Sequence, residues 1–264
     1  MAFHLIDKIA VEDDGEGTPV VCVHGLGGSS NTWTPLLGAL AGHRVIRLDM
    51  PGSARSCGVS GAITIARLAD AVLSVCTRLN VARAHLLGHS MGTIVCQHLA
   101  VDQPKRVASL ALFGPVLAPT DAMRSAIRLR AVKARGEGLA GMQEIAQTLM
   151  NGAISAETRR SLPSAAAFVR ESLMRQEPDA YARSCEALAD ATAAAVERIA
   201  APVLLMTGDE DAVAPPQAVR ALAERLQSSK SVRTVVLNRC GHWTPVERAE
   251  DCARELRGFL SVQH

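Results

Sequence analysis

Aromatic residues are scarce in this chain of 264 residues, in which Phe, Trp and Tyr together make up 3% of the sequence. Proteins that hold single-stranded nucleic acid stack its bases on aromatic side chains, so this scarcity argues against such a function. The basic residues form no long run, and the formal net charge is only +2. The charge pattern therefore gives no indication of a nucleic-acid partner.

Cysteine motifs and long apolar runs are also missing. No two cysteines have the Cys-x-x-Cys spacing, and their total of seven is odd, so we expect neither a disulfide framework nor a structural metal site. Scattered thiols are typical of a cytoplasmic protein, which is the location we expect. No apolar run approaches the roughly 18 residues of a membrane span. The first residues, MAFHLIDKIAVEDD, lack the apolar core of a signal peptide.

Apolar residues nevertheless make up 48% of the chain, enough for a large core. They occur in short runs that alternate with segments of helical spacing, which is typical of a parallel sheet with helices on both faces. Strands are predicted over Phe3–Ile6, Ile9–Val11, Pro19–His24, His43–Leu48, Ala84–Gly88, Val107–Phe113, Pro202–Thr207 and Val232–Leu237. Helices are predicted over Ser30–Leu40, Thr64–Leu79, Thr93–Val101, Pro216–Gln227 and Arg248–Leu260.

The segment 116–198 differs from the rest of the chain. It is rich in Ala, Arg and Glu and contains no strand-like run. It is interrupted by residues that end or begin helices, at Gly136-Glu137-Gly138, Asn151-Gly152, Pro163 and Pro178. We interpret it as a helical cap inserted before the last two strands. The predicted domains are a core of residues 1–115 and 199–264 and a cap of residues 116–198.

A serine between two glycines, in the stretch LLGHSMGTI (residues 86–94), stands between a predicted strand and a predicted helix. Small residues at 88 and 92 allow a sharp strand-to-helix turn that exposes the serine hydroxyl. Such a serine is either a nucleophile or a side chain that caps the helix. As a nucleophile, Ser90 needs a base, an acid that orients the base, and amide donors for an oxyanion.

The amide donors are predicted at two turns. One is the amide of Met91, directly after Ser90, and the other is that of Leu26 in the loop HGLGG that follows a buried strand. The competing interpretation of this loop is a dinucleotide-binding turn. The loop lacks the Gly-x-Gly-x-x-Gly spacing of such a turn, and no ribose-binding acid follows the next strand in the expected way.

The base and the acid are predicted in the loops after the last two strands. His242 follows the final strand, from where an imidazole can reach back to Ser90. The preceding loop, GDEDAVAP at 208–215, offers three carboxylates. Asp211 is preferred because it precedes an apolar turn, and an acid that orients an imidazole needs a partly buried position. Asp209 is the alternative.

Five motifs together resemble the α/β-hydrolase superfamily: HGLGG at 24–28, DMPGSARS at 49–56, GHSMG at 88–92, GDEDAVAP at 208–215 and CGHWTPVERAEDCARELRGFL at 240–260. They span nearly the whole chain. The resemblance implies an α/β-hydrolase fold, a mostly parallel sheet flanked by helices. It also implies roles for five residues: nucleophile Ser90, acid Asp211, base His242, and oxyanion donors Leu26 and Met91. Ala54 stands where the family's pattern commonly has glycine.

Two stretches of the predicted cap, GLAGMQEIAQTLMN at 138–151 and EPDAYARSCEALADA at 177–191, are similar to those of 3-oxoadipate enol-lactonases. This resemblance implies hydrolysis of a small carboxylic ester or lactone in the catabolism of aromatic compounds, with no metal or organic cofactor. Related α/β-hydrolases cleave carbon–carbon bonds of ring-cleavage products, or act as ligand receptors with little turnover. The sequence leaves these alternatives open.

Candidate substrate-contacting residues come from the cap and from the loops. Residues 121–135 contain five basic side chains against one acid, and Arg124, Arg128 and Arg135 share a helical face. A guanidinium such as that of Arg128 would suit a substrate that carries a carboxylate, and the alternative is a solvated face. Trp33 and Trp243 either line an acyl pocket or belong to the core. The sequence does not distinguish a monomer from a homo-oligomer.

Overall fold

The computed structural model describes residues 1–263, in which eight strands form one sheet of order β1-β2-β4-β3-β5-β6-β7-β8. The pairs β1–β2 and β2–β4 are antiparallel, and the other pairs are parallel. The predicted α/β fold with a mostly parallel sheet is therefore confirmed. The strands are β1 (Ala2–Ile6), β2 (Ile9–Asp14), β3 (Thr18–Val23), β4 (His43–Leu48), β5 (Ala84–His89), β6 (Val107–Phe113), β7 (Val203–Gly208) and β8 (Val232–Leu237).

The helices flank this sheet. They are α1 (Ile65–Arg78), α2 (Met91–Asp102), α3 (Asp121–Gly152), α4 (Ala156–Ser161), α5 (Pro163–Met174), α6 (Pro178–Ala189), α7 (Pro216–Arg225), α8 (Thr244–Glu247) and α9 (Ala249–Leu260). The predicted helix Ser30–Leu40 is a 3₁₀ helix, and the side chain of Ser29 caps its start. Pro35 lies inside it, and a proline has no amide hydrogen with which to continue an α-helical ladder.

Successive residues of β3 belong to two separate cores, because side chains alternate across a strand. Val21 and Val23 join a core with residues of α1, α2 and the helices between β6 and β7. Val20 and Cys22 join a second core, closed by Ser30–Leu40 and α9. Burial on both faces is expected for the central strands of a parallel sheet.

Helices α3 to α6, here called the inserted helices, lie in the chain between β6 and β7, and the described residues 114–202 contain no strand. Their bounds agree with the predicted interruptions, since α3 ends at Gly152 and α5 and α6 begin at Pro163 and Pro178. Within α3, Gly138 has φ 59° and ψ −132°, which interrupts the helix. The division of the chain at residues 116 and 198 into core and cap stays a prediction.

The segment after β4 contains a residue, Ala54, whose backbone conformation is unfavourable for any side chain other than that of glycine. Ala54 has φ 44°, in the left-handed region, and its amide donates to Gln176 Oε1 at 3.0 Å.

Close by, the buried Asp49 carboxylate accepts hydrogen bonds from the Ser30 amide at 2.7 Å and from Arg55 Nε at 2.6 Å. Burial alone raises the pKa of Asp49, but Arg55 and the Ser30 amide outweigh it and hold that pKa below its ordinary value of 3.8.

All seven cysteines are free thiols, and six of them are buried. The six buried cysteines therefore pack in the core as small apolar residues. Across residues 1–263, none of the helices combines the length and the apolar character needed to cross a lipid bilayer.

Candidate active site

Ser90 occupies the turn between β5, which ends at His89, and α2, which begins at Met91. Its backbone has φ 51° and ψ −119°, a conformation that costs a residue other than glycine about 1–3 kcal/mol. The Ser90 amide donates to the Phe113 carbonyl at 3.0 Å, and its carbonyl accepts from the Thr93 amide at 2.8 Å. The strained turn is thus held from both sides.

The glycines around Ser90 are required by close backbone contacts. A Cβ atom on Gly92 would lie 2.2 Å from the Val23 carbonyl oxygen, and one on Gly88 would lie 2.8 Å from the Gly92 carbonyl oxygen. Because α2 starts directly against β3, no larger side chain fits at either position. This close approach is the one expected from the small residues on either side of Ser90.

The Ser90 hydroxyl bonds to an imidazole and not to its own helix. Ser90 Oγ makes no capping hydrogen bond to α2, which removes the capping alternative. It lies 2.8 Å from His242 Nε2, and His242 Nδ1 lies 2.8 Å from Asp211 Oδ2. Because an ionised carboxylate only accepts, Nδ1 carries the ring hydrogen and Nε2 accepts from the serine. The structure thus brings together three residues from the loops after β5, β7 and β8.

Asp211 is held by amides as well as by the imidazole. Its Oδ1 accepts hydrogen bonds from the amides of Val213 and Ala214, both at 2.8 Å, and the carboxyl is buried. Burial alone raises the pKa of Asp211, but His242 and the two amides lower it on balance below the ordinary value. The alternative acid, Asp209, is exposed and accepts from the Cys240 amide at 3.0 Å, so it does not contact the imidazole.

The loop that carries Leu26 is fixed against the serine turn. His24 Nδ1–H donates to the Gly25 carbonyl at 2.7 Å, and its Nε2 accepts from the Met50 amide at 2.9 Å. A Cβ atom on Gly25 would lie only 2.7 Å from the Ser90 Cβ. Within residues 1–263 the Leu26 amide donates no hydrogen bond, and Leu26 lines the cavity at Ser90.

Met91 is the first residue of α2. An amide at this position has no acceptor within its own helix, so it is free to bind a ligand atom. The partial positive charge at the start of a helix adds to its attraction for a negative oxygen. The amides predicted to hold an oxyanion therefore belong to the two turns that meet at Ser90.

Glu247, which was not among the predicted residues, ties the His242 loop to the inserted helices. Its buried Oε2 accepts hydrogen bonds from the Gly241 amide at 3.0 Å, the Ser155 amide at 2.8 Å and Thr158 Oγ1 at 2.8 Å. Its Oε1 accepts from the Trp243 amide at 3.0 Å. In the sequence, Glu247 is marked only as an acid five positions after His242, within the short segment TPVE that forms α8.

His89 precedes Ser90, but its ring is directed elsewhere. Its Nε2–H donates to the His242 carbonyl at 3.0 Å, and its ring centre lies 5.2 Å from that of Trp243. Burial, aided by the nearby His242, lowers the pKa of His89 to about 3. A neutral ring engaged with the main chain supports the loop after β8 and does not contact the serine hydroxyl.

A cavity of about 160 Å³ opens at Ser90 and His242. Of the described residues around it, most are apolar, among them Ile127, Leu173 and Trp243. A larger cavity, of about 350 Å³, lies between α1, α2 and the end of α6, and neither Ser90 nor His242 lines it. Ser90 and His242 therefore face the smaller of these two cavities.

Two of the predicted pocket residues lie outside this cavity. Trp33 is fully buried in the second core, with its ring edge-on to Phe113 at 5.4 Å, because the 3₁₀ segment covers the other face of the sheet. Arg128 is exposed and pairs with Asp190 at 2.6 Å. The cavity is lined instead by Trp243, as one alternative had it, and by Arg130, which sequence reasoning did not select.

This arrangement, a serine on the turn after a central strand with an acid and an imidazole on later loops, defines the class of α/β-hydrolase-fold proteins. The chain matches the alpha/beta hydrolase fold family over residues 18–249 and belongs to that family. Among residues 1–263, no group of three or more His, Cys, Asp or Glu side chains could hold a metal ion.

Two curated relatives match most of this chain. It is 31% identical over 252 residues, or 92% of its length, to the dihydrolipoyllysine-residue acetyltransferase component of the acetoin cleaving system of Pseudomonas putida. The chain spans 64% of the length of that relative. It spans between 28% and 46% of the length of three other curated proteins that it matches. It is also 28% identical to 2-hydroxymuconate semialdehyde hydrolase of Pseudomonas putida, over 95% of this chain and 90% of that protein.

Two solved structures share the fold over nearly the whole chain. A thermophilic esterase from Thermogutta terrifontis, with malate bound, has a TM-score of 0.91 and 26% identity, and covers 100% of both chains. The enol-lactonase from Burkholderia xenovorans LB400 has a TM-score of 0.87 and 27% identity, over 98% of this chain and 100% of that one.

Proposed function

We propose that this protein hydrolyses a carboxylic ester or lactone of a small organic acid through an acyl-enzyme on Ser90. The observation that carries the proposal is the continuous relay from Ser90 Oγ through His242 to Asp211, with 2.8 Å at each contact. The esterase and the enol-lactonase that share the fold support the ester or lactone class. A cavity of about 160 Å³ favours a small acyl group.

Acylation begins when Ser90 Oγ attacks the carbonyl carbon and passes its proton to His242 Nε2. Asp211 stabilises the imidazolium that forms, and the amides of Leu26 and Met91 bind the oxyanion. The tetrahedral intermediate then collapses, the C–O bond to the leaving group breaks, and the leaving oxygen takes the proton from His242. In a lactone the alcohol stays attached to the acyl group.

Deacylation repeats these steps with water. Water attacks the acyl carbon and gives a proton to His242 Nε2, and the second tetrahedral intermediate expels Ser90 Oγ, which recovers that proton. The product is the free acid and the enzyme is restored. In this mechanism His242 moves each proton, while Asp211 keeps the hydrogen on Nδ1 and stays ionised throughout.

Replacement of the serine tests the proposal. Ser90→Ala should lower kcat for p-nitrophenyl esters by about four orders of magnitude or more, because no nucleophile remains. Ser74→Ala, on α1, is the matched control and should retain full activity. A fluorophosphonate should also add its mass to the peptide that contains Ser90. Undiminished hydrolysis by Ser90→Ala would refute the mechanism.

A carbon–carbon bond hydrolase is the second candidate, favoured by the similarity to 2-hydroxymuconate semialdehyde hydrolase over 95% of the chain. A comparison of turnover of an enol-lactone with that of a vinylogous 1,5-diketone separates the two. Faster cleavage of the diketone would favour the second candidate. Tight binding of both compounds without turnover would instead indicate a receptor-like protein.

A further inference from the structure

The basic side chains of residues 121–135 differ in what they contact. Four of the five pair with carboxylates or with backbone carbonyls of the protein. Arg124 donates to the carbonyls of Ala189 and Ala191, Arg128 pairs with Asp190, Lys133 pairs with Glu137 and Glu144, and Arg135 pairs with Asp179 and Glu186. These contacts are structural, because they join α3 to α6 or join parts of α3 to each other.

Arg130 is the fifth, and it lines the cavity at Ser90. Across the described residues 1–263, no carboxylate forms an ion pair with it. Its neighbours are the hydroxyl of Tyr181 and the thiol of Cys185. Burial raises the pKa of Tyr181 and of Cys185 more than Arg130 lowers it, so both groups stay neutral and leave the guanidinium charge unbalanced.

The helical period explains why position 130 faces the cavity. Met123, Ala126, Ile127 and Arg130 all line it, and their spacing of three, four and seven residues defines one face of α3. Arg128 lies on another face, directed to α6. Of the described residues that line the cavity, Arg130 is the only arginine, lysine, aspartate or glutamate.

We propose that Arg130 binds a carboxylate of the substrate, so that the preferred ester or lactone keeps a free carboxylate at the end remote from the scissile carbonyl. The inference rests on the proposed hydrolysis at Ser90. A guanidinium beside apolar side chains gains more from a carboxylate partner than it would in water, and its planar fork matches the two oxygens. Arg130 is then a specificity-determining residue.

A matched pair of esters tests this preference. Mono-p-nitrophenyl glutarate and p-nitrophenyl pentanoate have acyl chains of equal length and differ by a terminal carboxylate in place of a methyl group. The wild-type kcat/KM should be higher for the glutarate ester. Arg130→Met should lower that value by about 10- to 100-fold and change the value for the pentanoate ester by less than about twofold.

Two further variants complete the series. Arg130→Lys keeps the positive charge but lacks the planar guanidinium, so its kcat/KM for the glutarate ester should fall between those of the wild type and Arg130→Met. Arg128→Met removes a guanidinium two residues away, outside the cavity, and should leave the preference unchanged. Equal losses for both esters in Arg130→Met, or no preference in the wild type, would overturn the inference.

A binding measurement separates failure of this inference from failure of the proposed hydrolysis. Glutarate should bind Ser90→Ala, measured by calorimetry, about 10- to 100-fold more tightly than it binds Ser90→Ala/Arg130→Met. Equal affinities, or no binding to either variant, would refute the role of Arg130 even if the wild type hydrolyses esters. Binding that depends on Arg130, in a protein that turns over neither ester, would support this role and contradict the hydrolysis.

Discussion

The amide of His242 donates a hydrogen bond to the carbonyl oxygen of Ala153 at 2.8 Å, which joins the loop after β8 to the chain between α3 and α4. Glu247 strengthens the same junction through the amides of Gly241 and Ser155. The imidazole is therefore positioned by the main chain of the inserted helices as well as by Asp211. Changes in those helices should alter the rate of the chemical step and not only the binding of substrate.

Asp211→Asn should lower kcat by about 10³- to 10⁴-fold while the protein stays folded, because a neutral amide no longer holds the hydrogen on Nδ1 of His242. Steady-state kinetics with a p-nitrophenyl ester measure the loss. Asp209→Asn, two residues away and exposed, is the matched control and should change kcat by less than about twofold. A larger loss in the control than in Asp211→Asn would assign the acid to Asp209.

Glu247→Gln should reduce the free energy of unfolding by about 2–3 kcal/mol, because its amide group would face backbone donors that now bind a carboxylate. It should also lower kcat, since the His242 loop loses its connection to Ser155. Urea unfolding and ester kinetics measure the two effects. Glu250→Gln, exposed on α9, should stay within about 0.5 kcal/mol of the wild type. Equal stability of both variants would contradict the anchoring role.

Ala54→Gly should raise the free energy of unfolding by about 0.5–1 kcal/mol, or the Tm by about 2 °C. The gain arises because glycine adopts a φ of 44° without the steric cost that alanine meets. Differential scanning calorimetry measures it. The same substitution at Ala167, exposed within α5, should lower stability by about 1 kcal/mol. A loss of stability at position 54 as well would show that its strain is negligible.

Asp49 should make stability depend on pH in the acid range. Its pKa in the folded protein lies below the ordinary value of 3.8, so the unfolded chain binds the proton more readily and stability rises with pH. The contribution is complete above the ordinary value and is lost as the pH falls through the lower, folded-state value.

The wild type should thus exceed Asp49→Asn in stability by about 2 kcal/mol at neutral pH, and the difference should shrink near pH 3. Urea unfolding at both pH values measures it, with the exposed substitution Asp70→Asn as control. A difference between wild type and Asp49→Asn that stays constant with pH would mean that Asp49 is not stabilised as a carboxylate.

Most of the fold could be predicted from local patterns. Buried parallel strands consist of continuous apolar runs, so β3 and β5 were recognisable to within one residue, and the prolines and glycines marked the ends of the inserted helices. The candidate site could be predicted because the carboxyl ends of parallel strands meet at one edge of the sheet. A serine after β5, an acid after β7 and a histidine after β8 must then lie near one another.

The substrate pocket could not be predicted in the same way. Periodicity groups Arg124, Arg128 and Arg135 on one face of α3, but it does not say that this face contacts α6. A tryptophan near a loop in sequence can lie on either side of the sheet, and Trp33 lies on the far side. Glu247 is an ordinary acid of a short helix until the amides that it binds are located.

The α/β architecture, the turn that carries Ser90 and the order of the three candidate residues follow from the sequence alone, because each depends on neighbours close in the chain or on strand order. The contact of Asp211 rather than Asp209 with His242, and the position of Arg130 rather than Arg128 at the cavity, are visible only in the folded structure. Those choices depend on distances of a few ångströms between distant segments, and such distances are set by how the helices and loops pack on the sheet.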